Sequence, residues 1–310
     1  MTTLLKRVGV EFTRVAAVDK LTLSDSDLQD LVTPKPDRWS ALTPGELACF
    51  LSHRRCLELI AAGDDRYGAI LEDDLHLVSN VGEYLNSEAW IPWDADVVKL
   101  ESGCYTADNG GKIHINRNAL SITGDRRLHR LHSTSLGTGL YVVSRDFCRL
   151  ILPKLAKYEE SIDVLIFDHR NGLANSLTIY QMLPAAGIQD SIRRGPKMDA
   201  LKSTLIESRN AVLAVGRDER PPKPRGIAKL RREVARPFLQ LAGWLLPAPG
   251  RLLSWATTDL RWIDAYQFRD SDFADPATSE ANVPANVRHP IGKPAAVPVG
   301  GAASETAAVR

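Results

Sequence analysis

The sequence YGAILEDDL (residues 67–75) decides the fold, because an apolar run there ends in three adjacent carboxylates. The run from Tyr67 to Leu71 has no charged side chain, which is typical of a strand buried on both faces by covering helices. Ligands of open α/β sheets bind at the carboxyl ends of such strands. The sequence therefore predicts an α/β protein whose binding site lies beside Glu72, Asp73 and Asp74.

Glu72 and Asp74 are predicted to point to the same side, with Asp73 facing away, since successive strand residues alternate between faces. Two carboxylates on one side repel each other, which raises the pKa of one of them unless a cation neutralises the pair. Magnesium is commonly held by one or two carboxylates together with substrate phosphates, and manganese accepts the same oxygen ligands. A divalent-metal site is one interpretation of this stretch, and a solvated acidic turn is the alternative.

The composition places the chain among ordinary globular proteins, with 44% hydrophobic and 25% charged residues over 310 positions. A net charge of +1 disfavours nucleic acid as a partner. The four cysteines contain no CxxC pair, which favours a reducing compartment. The first residues, MTTLLKRVGVEF, lack the apolar core of a signal peptide, and no stretch has the apolar length of a spanning helix. We therefore expect a cytoplasmic protein.

A long helix is predicted to begin at Thr43, which forms a capping box with Glu46 and is followed by Pro44 at the first helical position. The helix is expected to end at Gly63. Within it Cys49, His53 and Cys56 share a face, which would also suit zinc ligands. Because no fourth ligand or chelating loop is evident, buried thiols beside a hydrogen-bonded histidine are the favoured interpretation.

The remaining patterns complete an α/β order of elements. We predict strands at 96–100, 137–144 and 177–183, and helices at 78–90 and around 147–155. The strand at 96–100 is followed directly by Glu101. Residues 102–130 are rich in Gly, Asn, Arg and Lys, and such a long loop or set of irregular strands is usually functional.

Several segments resemble glycosyltransferase family 25, which includes lipooligosaccharide and collagen galactosyltransferases. The resemblance spans roughly residues 10–191 in five ordered matches. These are FTRVAAVD, then GELACFLSHRRCLELI with YGAILEDDL, then GTGLYVVSRDFCRLIL, SIDVLIF and IYQMLPAAGIQDS.

This resemblance implies a GT-A type fold, that is, a twisted and mostly parallel sheet flanked by helices that binds a nucleotide sugar. It implies Mn²⁺ or Mg²⁺ held at Glu72 and Asp74. It also implies an inverting transfer of a hexose, such as galactose from UDP-galactose, to a cell-surface glycan or lipooligosaccharide acceptor. A metal bridging the donor phosphates would stabilise the negative charge that develops on the leaving group.

The resemblance also implies which residues act on the acceptor and donor. Asp163 matches the family's Pro-x-Asp carboxylate and is the first candidate for the general base, with Glu101 second. A helix N-cap is the alternative role for Asp163. Ser52 and His53 match the family's Ser-His pair, for which sugar positioning and structural hydrogen bonding are both open. Arg54 could reach donor phosphates or could lie on a solvated helix face.

The chain divides by composition into a catalytic domain (1–215), a basic amphipathic helical extension (216–270) and a disordered tail (271–310). Residues 217–236 carry eight Lys and Arg against three acids and precede a segment rich in Trp and Leu. This combination predicts peripheral contact with an anionic membrane on the cytoplasmic face, and an ordinary packed C-terminal helix is the alternative.

Two departures from the family pattern leave other functions open. The family's opening hydrophobic strand is absent, because the sequence begins within the helix that follows it, and Ser161 stands near the position of the family's proline. The copy could therefore be a truncated, non-catalytic binding or scaffold protein. A metal-dependent nucleotidyl- or phosphotransferase that uses the same carboxylates is the third interpretation.

Overall fold

The structure is a computed structural model that describes residues 1–24, 26, 31–32, 42–102, 111–155, 160–170, 172–194, 259–265, 268–273 and 306–309. The α-helices are α1 (Thr2–Arg7), α2 (Pro44–Ala62), α3 (Gly82–Leu85), α4 (Arg145–Ile151), α5 (Ile162–Phe167) and α6 (Asp190–Arg194). The strands are β1 (Thr13–Val15), β2 (Tyr67–Glu72), β3 (Leu75–Leu77), β4 (Val97–Lys99), β5 (Lys112–Asn116), β6 (Leu120–Ser121), β7 (Arg127–Arg130), β8 (Leu140–Ser144), β9 (Ile179–Leu183), β10 (Gly187–Gln189), β11 (Leu260–Asp264) and β12 (Thr306–Val309). Single-turn 3₁₀ helices lie at Lys20–Thr22, Leu152–Lys154, Ala174–Ser176 and Asp270–Asp272.

The central sheet is mixed, with the strand order β1-β12-β2-β8-β4-β9-β7-β6. Only the β4–β9 neighbours within it are parallel, and every other adjacent pair is antiparallel. The prediction of a mostly parallel sheet is therefore wrong. Strands β2, β4 and β9 do share one direction, but β8 runs the opposite way between β2 and β4. An apolar run indicates that a strand is buried on both faces, but it does not indicate the direction of the strand beside it.

Strand β2 is buried on both faces, as its apolar run predicts. Ile70 belongs to one apolar core with residues of α2, α4 and α5. Ala69 and Leu71 belong to a second core on the opposite face, where α1, α3 and the β3–β10 ribbon cover the sheet. Glu72 lies two residues after Ile70, so its carboxylate is on the α2 side of the sheet.

Helix α2 begins and ends where the sequence predicts. Both arms of the capping box are present, with Thr43 N donating to Glu46 Oε2 at 2.8 Å and Glu46 N donating to Thr43 Oγ1 at 3.2 Å. Gly63 is the C-cap residue. A Cβ at Gly68 of β2 would lie 2.6 Å from the Ile60 side chain, so glycine there allows the helix to pack closely on the strand.

The helix predicted at residues 78–90 is much shorter, since α3 covers only Gly82–Leu85. The amide of Val78 donates to the carbonyl of Ala186 at 3.0 Å, which continues the contact between β3 and the chain before β10. Val78 therefore pairs with a distant backbone carbonyl instead of forming the first turn of the predicted helix.

The two C-terminal segments are described only in part. Leu260–Asp264 forms β11, paired antiparallel with β5, so the helical prediction is wrong for these residues. Phe273 is buried in the second core, and Thr306–Val309 forms β12 between β1 and β2, so these parts of the predicted tail are ordered. The basic segment 217–236 lies outside the described residues, as does the Trp/Leu-rich segment after it. No helix in the described ranges has the length and apolar character needed to span a bilayer.

Candidate functional site

Glu72 is the centre of the polar contacts at the end of β2. Its Oε1 accepts a hydrogen bond from Thr138 Oγ1 at 2.8 Å and lies 3.2 Å from His53 Nε2, while its Oε2 accepts from Gln189 Nε2 at 3.0 Å. Burial raises the pKa of Glu72, but the hydrogen bond and charge of His53, with the bonds from Thr138 and Gln189, outweigh it and lower that pKa overall. Glu72 is therefore an ionised carboxylate held in a fixed orientation.

His53 connects Glu72 to the interior of the sheet. Its buried ring stacks on Tyr141 with the ring centroids 5.8 Å apart, and its Nδ1 lies 2.9 Å from the Tyr141 hydroxyl. An ionised carboxylate only accepts hydrogen bonds, so Nε2 of His53 donates to Glu72. The contact of Nδ1 with the Tyr141 hydroxyl, together with the ring stacking, fixes the plane of the ring.

Asp74 lies in a turn and not in the strand, because β2 ends at Glu72 and Asp73 and Asp74 link it to β3. The strand alternation used to pair Glu72 with Asp74 therefore does not extend to Asp74. Burial, followed by the charges of Glu72, Asp73 and Glu101, raises the pKa of Asp74 to about 8. Among the described residues no group hydrogen-bonds its buried Oδ1.

Glu101 joins this group from the end of β4. Both of its carboxylate oxygens are buried without a hydrogen-bond partner in the described ranges, although Oε1 lies 3.2 Å from Lys99 Nζ. Burial raises the pKa of Glu101 to about 7, with Lys99 opposing that rise and Glu72 adding to it. A Cβ at Gly139 would lie 2.5 Å from Glu101 Oε2, so a glycine here leaves room for the carboxylate in its present position.

The carboxylates of Glu72, Asp74 and Glu101 lie within electrostatic range of one another. Each influences the ionisation of at least one other, and two of them have buried oxygens without hydrogen-bond partners in the described part of the chain. Lys99 lies beside Glu101, and a second cation would favour the ionised forms of the other carboxylates buried here. Carboxylate oxygens are also the ligands that Mg²⁺ and Mn²⁺ prefer.

Lys99 is the compensating cation that the sequence prediction missed. Its buried ammonium donates to the carbonyls of Ser135, Leu136 and Gly137 at 2.7–2.8 Å and lies 4.4 Å from the Phe167 ring centroid. These bonds fix residues 135–137, and the next residue, Thr138, donates to Glu72. The signal in the sequence is a lysine within the apolar strand at 96–100, because a buried lysine requires partners.

We expect Lys99→Met to destabilise the protein by about 3–5 kcal/mol, because it leaves three carbonyls and Glu101 without their cation. Urea unfolding followed by circular dichroism measures this change. Lys112→Met, at an exposed position of β5, is the matched control and should change the unfolding free energy little. Equal effects of the two substitutions would show that the Lys99 contacts do not stabilise the fold.

Asp163 lies in the first turn of α5, on the side of the sheet that α2 covers. Its Oδ1 accepts hydrogen bonds from Ser161 Oγ at 2.6 Å and from the amide of Val164 at 2.9 Å. The N-cap of α5 is Ser161, so the alternative role of Asp163 as the N-cap residue is wrong, and Asp163 instead bonds within the first turn. Asp163 is half-buried and its charge contributes to raising the pKa of the Cys49 thiol, after burial and Glu72, which places it within electrostatic range of the site.

Ser52 and Arg54 make mainly structural contacts in the described residues. The Ser52 hydroxyl donates to the carbonyl of Ala48 at 2.7 Å and accepts from the amide of Val18 at 2.9 Å. Arg54 Nε donates to Glu58 at 2.9 Å, one turn along α2. Of the predicted Ser-His pair, the structure brings His53 but not the Ser52 hydroxyl into contact with Glu72.

Comparison with sequence models of protein families identifies the family of this chain. The sequence model of glycosyltransferase family 25, described as lipopolysaccharide biosynthesis proteins, matches residues 1–166. The chain belongs to glycosyltransferase family 25. The matched range of this family 25 protein contains every residue predicted for its site, from Ser52 to Asp163.

Three relatives of this family 25 protein come from two bacterial species. A Haemophilus influenzae protein provisionally named a glycosyltransferase is 26% identical over 208 residues, which cover 66% of this chain and 68% of the relative. The lipooligosaccharide biosynthesis protein lic2B of the same species is 27% identical over 56% of the chain and 64% of its own length. The lacto-N-neotetraose biosynthesis glycosyltransferase LgtE of Neisseria gonorrhoeae is 25% identical over 47% of the chain and 52% of its own length. The chain thus matches about half to two thirds of the length of these relatives.

Proposed function

We propose that this family 25 protein is a metal-dependent, inverting glycosyltransferase that moves a hexose from a nucleotide donor to a cell-surface glycan. The proposal rests on the cluster of carboxylates that follows β2 and β4. In this cluster Asp74 and Glu101 have buried oxygens without hydrogen-bond partners among the described residues. A bound cation would supply the partners that these buried oxygens lack.

Glu72 and Asp74 would hold Mn²⁺ or Mg²⁺ together with the donor diphosphate. When bound, the cation neutralises charge that develops on the leaving nucleoside diphosphate. The chain's own contribution is orientation, since Thr138, His53 and Gln189 fix both oxygens of Glu72 before any ligand arrives. Such preorganisation avoids an ordering cost when the donor binds.

Asp163 would act as the general base toward the acceptor. It takes the proton of the acceptor hydroxyl while that oxygen forms a bond to the anomeric carbon and the bond from that carbon to the diphosphate breaks. Attack from the side opposite the leaving group inverts the anomeric configuration. Glu101 is the second candidate, because its pKa of about 7 suits proton transfer near neutral pH, although its side chain is fully buried.

The relatives' names support the choice of substrate class. Two of them are named for biosynthesis of lipooligosaccharide or of lacto-N-neotetraose. We therefore propose a UDP-hexose as donor and a glycolipid or lipooligosaccharide as acceptor. The basic segment 217–236 would hold the protein at the cytoplasmic face of an anionic membrane, where such an acceptor is found.

A donor screen tests the proposal. The full chain is incubated with a panel of nucleotide sugars in Mn²⁺ and, separately, in EDTA, and released nucleotide is measured. We expect one donor to release nucleoside diphosphate only when the metal is present. Release of pyrophosphate would instead indicate a nucleotidyltransferase, and a folded protein that turns over no donor would indicate a binding or scaffold role.

A further inference from the structure

Three metal-binding side chains of different chemistry meet where α2 packs on the end of β2. The ligand atoms of Cys49, His53 and Glu72 all lie within 4.8 Å of one another. Cys49 and His53 are one turn apart on α2, and Glu72 joins them from the strand. This is the one such group among the described residues, and it differs from the carboxylates of Asp74 and Glu101 because it offers sulfur and nitrogen.

The distances suit a tetrahedral ion. A zinc ion bound at 2.0–2.1 Å to nitrogen and oxygen sets those two ligand atoms about 3.3 Å apart. His53 Nε2 and Glu72 Oε1 are already 3.2 Å apart. A sulfur ligand requires a separation of about 3.6 Å from each of them, and Cys49 Sγ lies within 4.8 Å of both. Cys49 is half-buried, whereas His53 is fully buried.

The groups around these ligands resemble those that support a metal centre. The Tyr141 hydroxyl at 2.9 Å from His53 Nδ1 fixes the ring so that Nε2 faces the other ligands. Thr138 and Gln189 hold the carboxylate of Glu72. Outer partners of this kind orient metal ligands and tune their affinity. Thiolate and imidazole favour zinc over magnesium or manganese.

We propose that Cys49, His53 and Glu72 form a zinc site with an open fourth position, which shares Glu72 with the proposed site for Mn²⁺ and the donor diphosphate. Three protein ligands with an open fourth position are found in catalytic zinc sites, whereas structural zinc sites have four protein ligands. Since Glu72 belongs to both sites, zinc and the catalytic cation would exclude each other. Only this last consequence, zinc inhibition of transfer, rests on the proposed function.

Cobalt substitution tests the site without any turnover. Co²⁺ is titrated into the full chain, and absorption spectra are recorded. We expect about one equivalent to produce the sulfur-to-cobalt charge-transfer band and the intense visible bands of a tetrahedral site, and Zn²⁺ to abolish both. Cys49→Ser should remove the charge-transfer band and weaken Zn²⁺ binding by more than the ~10–100-fold typical of losing an outer partner.

Cys56→Ser is the matched control, because Cys56 lies on the same helix but outside the ligand group. It should keep the full spectrum. If Cys49→Ser does not fold by circular dichroism, Glu72→Gln serves as the second variant and should weaken binding while keeping the sulfur band. Absence of the sulfur band from the unsubstituted protein would overturn the proposal, as would its loss in Cys56→Ser alone. These spectra need no donor or acceptor, so their outcome is independent of the donor screen.

Discussion

Asp163→Asn is expected to lower the rate of sugar transfer by about 10²–10⁴-fold, the usual contribution of a general base. Asparagine keeps the side-chain oxygen that accepts from Ser161 and Val164, so helix α5 should retain its first turn. Donor binding and the unfolding midpoint should therefore be close to those of the unsubstituted protein. Single-turnover transfer to an acceptor, with donor affinity measured by calorimetry, separates the two effects.

Two further variants make this result decisive. Ser161→Ala removes one hydrogen bond to Asp163 but leaves the carboxylate, so most of the transfer rate should remain. Glu101→Gln tests the second candidate for the base. If Asp163→Asn transfers sugar at a near-normal rate and Glu101→Gln does not, the base is Glu101 and the role of Asp163 is limited to its hydrogen bonds in the first turn of α5.

Asp74→Ala is expected to weaken Mn²⁺-dependent binding of a nucleoside diphosphate by about 100-fold or more. A metal bridge to phosphate contributes several kcal/mol, and each 1.4 kcal/mol corresponds to tenfold in affinity. The metal-free variant should be at least as stable as the unsubstituted protein, because burial and neighbouring carboxylates already disfavour ionised Asp74 in the fold. Calorimetric titration with and without Mn²⁺ measures binding, and urea unfolding measures stability.

Asp73→Ala is the neighbouring control for this experiment and should retain most of the metal-dependent affinity. Asp73 shares the turn and burial raises its pKa as well, but it is not among the proposed metal ligands. The metal interpretation fails if the unsubstituted protein binds the diphosphate equally well in EDTA. In that case the raised pKa values of Asp74 and Glu101 would reflect a buried acidic cluster with another role.

The sequence alone determined the elements whose signals are local. The capping box of Thr43 and Glu46, the end of α2 at Gly63 and the two-sided burial of β2 all depend on residues within a few positions of one another. The family resemblance also identified Glu72 and His53, which do contact each other. It could not give the direction of β8 or the pairing of β11 with β5, since hydrogen bonds between distant segments decide both.

Only the tertiary structure decided how the site is held together. The partners of Glu72 are 19, 66 and 117 positions away in the chain, and the Tyr141 hydroxyl that orients His53 is 88 positions away. On the helix alone, Cys56 is the natural third partner for Cys49 and His53, whereas packing of α2 on β2 supplies Glu72 instead. Periodicity records which face of an element is buried, but the identity of the side chain opposite that face depends on how distant strands and helices pack together.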